Sequence, residues 1–131
     1  MLSPIYALVL NLMLGADEMS ANMGQFTYEY GSLSVCQEAE KMMKKTSINW
    51  ARFDSECIAT GKFAELQEKD FKRIMLVQGF VLGDKLQQKP FIQVWENSIS
   101  ACQRTMGFVR KQVENKPNYN VALACIPSIE R

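Results

Sequence analysis

The residues in this chain whose type and spacing most directly imply chemistry are its four cysteines. They form two pairs of similar span, Cys36 with Cys57 and Cys102 with Cys125, and the second cysteine of each pair is followed by isoleucine. The first cysteine of each pair lies in a recurring hexapeptide, Ser32-Leu33-Ser34-Val35-Cys36-Gln37 and Ser98-Ile99-Ser100-Ala101-Cys102-Gln103. A cysteine at a helix start has its thiolate favoured by the helix N-terminus, so Cys36 and Cys102 are candidates for reactive thiols. Redox and nucleophilic cysteines usually sit in Cys-x-x-Cys or beside a histidine; the sequence has neither, and its histidine count is 0. The spacing within each pair is also far wider than the roughly two to four residues between paired zinc ligands. A structural disulfide in each pair is the expectation, with no metal and no cofactor.

Carboxylates are the remaining source of acid–base chemistry. Asp54 and Glu56 share one face of an alternating segment with Arg52, and Glu29 lies on an earlier one. An exported hydrolase would need one of these carboxyls in an apolar pocket to raise its pKa, whereas the simpler reading is a solvated strand face. Glu65, Glu68, Lys69, Asp70, Lys72 and Arg73 read as a wet, mixed-charge surface. The seven glycines are scattered and build no phosphate loop. With Lys+Arg of 15 against Asp+Glu of 14, the net charge of +1 lacks the basic footprint of a nucleic-acid-binding domain. Aromatic residues on strands offer one further lead. Tyr28, Tyr30, Trp50 and Trp95 would form a binding face if helices covered only the other side of a sheet.

These side chains must be positioned by regular elements. Ser34 with Gln37, and Ser100 with Gln103, fit the Ser-x-x-Gln capping box and predict a helix start at each place. Val35, Ala39, Met42, Met43 and Thr46 then form a helical stripe, as do Ala101, Thr105, Phe108, Val109 and Gln112. The first helix is expected to end near Ser47 and the second near Asn115 to Lys116, ahead of Pro117. After each helix the period changes to two: Ala51, Phe53, Ser55 and Cys57 share a face, and so do Tyr119, Val121, Leu123 and Cys125. A helix of about 12 residues climbs roughly 18 Å, and a strand of six to eight residues returns roughly 20 to 26 Å. The strand's end therefore comes back to the helix's start, which favours Cys36 with Cys57 and Cys102 with Cys125 among the three connectivities that four cysteines allow.

The expected fold class is α+β: two strand-helix-strand half-repeats over 25–59 and 90–127, each pinned by a disulfide, in the order of a ferredoxin-like sheet. The linker 60–89 adds a further helix or strand; Gly61 to Asp70 looks helical, and Arg73 to Leu82 is apolar and interrupted by Gly79. Met1 to Leu14 is apolar apart from Ser3 and Asn11, too short for a membrane helix and of signal-peptide length, although no Lys or Arg precedes it. Residues 1–21 are read as a signal peptide, cut after Ala16 or Ala21, and 22–131 as one exported domain with no integral span. Disulfides persist in oxidising compartments, which agrees with export.

The leading functional reading is a non-enzymatic exported protein, an inhibitor or accessory envelope factor, that binds another macromolecule such as a protein through the aromatic face or the linker. The alternatives are the carboxylate hydrolase and an intracellular structural or oligomerisation module with free thiols. The last gains if Met1 to Leu14 packs into the domain as a core helix.

Overall fold

In a computed structural model that describes residues 2–15, 21–65, 73–83, 85 and 89–128, Leu8, Leu10 and Leu12 are fully buried. They lie on one face of a strand, Ser3–Leu14 (β1), that pairs antiparallel with Ala21–Tyr30 (β2) on one side and Ala51–Ala64 (β4) on the other. The apolar run read as a leader is the middle strand of a sheet. Removing residues 1–21 would take away β1 and leave β2 and β4 without the strand that joins them. The period of two is hidden in the sequence because the alternate positions, Ile5, Ala7 and Val9, are apolar as well and also buried. Among the described residues no helix is long and apolar enough to cross a membrane.

The remaining elements are α1 (Leu33–Met42), β3 (Thr46–Ile48), β5 (Arg73–Leu82), β6 (Phe91–Glu96), α2 (Ile99–Val113) and β7 (Tyr119–Ser128). Instead of one ferredoxin-like sheet there are two antiparallel sheets, ordered β2-β1-β4 and β3-β7-β5-β6. The first half of the chain runs strand, strand, helix, strand, strand and the second strand, strand, helix, strand; β1 lies between β2 and β4, and β5 between β6 and β7. The undecided segment Arg73 to Leu82 is thus a strand, and Gly61–Ala64 continue β4 rather than start a helix. The rest of the helical reading, 66–70, lies outside the described residues.

The layers follow from which faces are apolar. Leu8, Leu10 and Leu12 of β1 meet Met75, Val77 and Val81 of β5 and Ala122, Ala124 and Ile126 of β7, with Cys36 and Ala39 of α1 and Met43 at its C-cap in the same cluster. On the far side of the four-stranded sheet, Ile74, Leu76, Val121, Leu123 and Cys125 pack on Cys102 and Met106 of α2. Strand β7 is therefore buried on both faces, and its sequence has no polar alternation. The sheets close most tightly at Gly79: a Cβ there would lie 2.7 Å from Leu12 Cδ1 and 2.8 Å from Phe53 Cε1. Glycine at this position sets the spacing between the sheets.

Both helices begin two residues earlier than the capping-box pattern places them. Ser32 and Ser98 are the N-caps, each extended (φ −157° and −153°), with side chains that accept from Val35 N and Ala101 N at 3.2 and 3.1 Å. The third helical residues are Val35 and Ala101, so no side chain reaches back and the cap is one-sided. Helix α1 ends at Met42 and α2 at Val113, each short of its expected end.

Both disulfides form as the helix-and-strand arithmetic requires. Cys36–Cys57 has a Cα separation of 6.1 Å and Cys102–Cys125 one of 6.2 Å, each tying the first turn of a helix to the last strand of its own half.

Candidate functional site

Helix α2 lies across the four-stranded sheet and leaves a groove along each flank. On one side it faces β6, an edge strand that hydrogen-bonds to β5 and to no other described strand. The register pairs Ile74 with Glu96, Leu76 with Val94 and Gln78 with Ile92, which places Ile92, Val94 and Glu96 on the α2 side of the sheet. The groove is about 330 Å³ and is lined by Glu96, Ala101, Arg104, Thr105 and Phe108. Phe108 is 62% exposed and Ile92 51%. The Thr105 hydroxyl lies 2.6 Å from Glu96 Oε1 and 3.1 Å from the Ala101 carbonyl, so it fixes the Glu96 carboxylate against the helix. Arg104 makes no ion pair among the described residues.

On the opposite flank, α2 faces the connection from α1 to β3. There a groove of about 230 Å³ is lined by Lys44, Thr46, Gln103, Met106, Gly107 and Arg110. Its cations are Lys44 and Arg110, and no carboxylate lines it. Arg110 Nε has Glu114 at 3.9 Å, with side chains 59% and 48% exposed, a pair that solvent screens heavily.

The four aromatic side chains expected to share a binding face do not. Tyr30 is fully buried between the sheets and donates its hydroxyl to the Pro127 carbonyl at 2.5 Å. Tyr28 is half-buried against the same cluster, 5.1 Å from Tyr30 ring to ring. The face they occupy is the one that meets the second sheet, so it is core. Trp50 is 65% exposed on the turn before β4 and Trp95 44% exposed on β6. Trp50 N bonds to Asn120, which pairs with Val81, whereas Trp95 pairs with Met75. Six residues of strand separate those levels, or about 20 Å. The Arg73 guanidinium stacks over the Trp95 ring at 5.2 Å.

Asp54, Glu56 and Glu29 line neither groove. Asp54 and Glu56 are exposed on the outer face of the three-stranded sheet, opposite Asn11 and Val9, and Arg52 Nε lies 3.6 Å from Asp54. Glu29 is on the same outer face, 3.9 Å from Lys62. Among the described residues no cluster of three or more His, Cys, Asp or Glu is arranged to hold a metal.

Sequence reasoning missed both grooves. Their lining comes from the exposed flanks of α2, and their walls come from elements distant in sequence or on the far side of a turn. The one local signal was Gly107, a glycine in the interior of a helix. No family model matches the chain, and neither does any curated protein or solved structure.

Proposed function

We propose that this is an exported binding domain that takes up an extended peptide segment by strand addition to β6, in the groove between β6 and α2. The observation that carries the reading is the combination of an edge strand, a flanking helix and a groove between Glu96 and the helix that exposes Phe108, with Ile92 also exposed on the α2 side of the same strand. An edge strand offers unpaired N–H and C=O groups, and a neighbouring helix offers pockets for alternate side chains, which is the logic of peptide recognition by β-augmentation. Phe91 is covered by β2, where a Cβ on Gly24 would meet its ring at 3.1 Å; Ile92 to Glu96 extend beyond this contact.

Charge selects the occupant. Thr105 holds Glu96, and Arg104 has no described ion-pair partner, so the groove favours a peptide carrying an apolar side chain for Phe108 and an acidic group for Arg104. Two disulfides favour an oxidising compartment, which agrees with export.

Selection of short random peptides displayed on phage against the oxidised protein tests this. Enriched peptides should combine an apolar and an acidic residue and shift the backbone NMR signals of Ile92–Glu96 and Ala101–Phe108. Phe108→Ser and Arg104→Ala should each weaken binding about tenfold, or about 1.4 kcal/mol. Equal enrichment on the Phe108→Ser protein, or signal shifts confined to other strands, would reject the reading.

A further inference from the structure

We infer that the second groove beside α2, lined by Lys44, Thr46, Gln103, Met106, Gly107 and Arg110, binds a phosphate-type oxyanion. This site is separate from the peptide groove and stands whether or not that reading holds.

Two independent features point to a ligand. The first is the donor set. Lys44 and Arg110 bring positive charge, Gln103 an amide N–H₂ and Thr46 a hydroxyl, from three different elements: the α1–β3 connection, β3 and α2. A lysine and an arginine facing one concavity with no lining carboxylate suit an anion with several acceptor oxygens, and the guanidinium can offer two parallel donors.

The second is Gly107. Glycine inside a helix is destabilising relative to alanine, so an interior glycine calls for a reason. Packing supplies none: a Cβ built at Gly107 has no heavy atom within 4 Å, and the φ there is not positive. The same test at Gly79 gives contacts of 2.7 and 2.8 Å, so the two glycines answer different needs. Gly107 lines the groove, and a side chain there would extend into open space beside it. The helix gives up stability at this residue and presents no side chain to the groove.

The test is an NMR titration of the oxidised protein with inorganic phosphate, run beside sodium chloride and sodium acetate at matched ionic strength. Phosphate should produce saturable shifts at Thr46, Gln103, Gly107 and Arg110, tenfold or more tighter than acetate. The Lys44→Ala/Arg110→Ala double variant should weaken phosphate binding at least tenfold, and both residues are exposed, so its fold is preserved. Gly107→Leu should abolish the saturable shifts while raising the thermal midpoint, an opposition that mere loss of structure cannot produce. Glu114→Gln, which frees Arg110 from its neighbour, should tighten binding severalfold. Phosphate shifts that match chloride, or a double variant that binds phosphate as the parent does, would overturn the proposal. Binding of free phosphate and of a phosphate monoester with equal affinity would identify the anion alone as the ligand; a tighter monoester would place an organic group in the rest of the groove.

Discussion

At the scale of single residues, Asn120 carries more of the fold than its type suggests. It is 4% exposed, its amide nitrogen donates to the Gly83 carbonyl at 2.5 Å, and its amide oxygen accepts from Trp50 N at 3.2 Å. It thereby fastens the end of β7 to the turn after β5 and to the turn that precedes β4. Nearby, Asn49 takes a positive φ of 61° and its side-chain nitrogen donates to the carbonyls of Lys116, at 3.0 Å, and Tyr119. Asn120→Ala leaves a carbonyl and an N–H without partners and should cost about 2 kcal/mol, read as a lower urea midpoint with an unchanged slope. Nothing in the sequence marked Asn120. The cysteines were legible because their pairing depends on short-range lengths of helix and strand. The tyrosines were legible as a strand stripe but not as core, because burial of Tyr30 depends on a second sheet supplied by residues about 45 to 100 positions further along the chain.

At the scale of elements, α1 is the clearest case of a segment that its surroundings must hold. Its 10 residues fall below the length at which an isolated helix is stable in water, about 12 to 15 residues. It is held by Cys36, Ala39 and Met43 in the inter-sheet core and by the bond from Cys36 to Cys57. Replacing Cys36 and Cys57 together by alanine should cost about 3 kcal/mol, and the amides of α1 should exchange with solvent well before those of β5 and β7. Native-state hydrogen exchange checks both statements. Uniform exchange across the molecule would show that packing alone fixes the helix. The helices and the strands that follow them were readable from period. Their starts were displaced because two cap-forming serines stand two residues apart in each copy: Gln37 and Gln103 complete the box for Ser34 and Ser100, but Ser32 and Ser98 take the extended backbone of the cap. Strand β1 escaped notice for a different reason, since a strand apolar on both faces has no alternation to detect.

At the scale of the whole molecule, the sequence fell short on which strand joins which sheet. Strand β3 belongs by position to the first half but pairs with β7 of the second, through Thr46–Leu123, Ser47–Ala122 and Ile48–Val121. Two residues later the chain has turned through Asn49 and Trp50 and entered β4 in the other sheet. Such an exchange leaves no trace in hydrophobic period, because β3 has only 3 residues and β7 is buried on both faces. The core that results is shared, with side chains from each half filling the space between the sheets. The covalent cross-links are not shared: Cys36–Cys57 lies wholly before Glu65 and Cys102–Cys125 wholly after Arg73. A single proteolytic nick between those two residues would therefore yield two fragments that separate on a denaturing gel even without reductant. In native buffer the same nicked protein should elute from a sizing column as one particle, its halves joined by non-covalent contacts: the apolar core, the β3–β7 ladder and side-chain hydrogen bonds such as that from Tyr30 to Pro127.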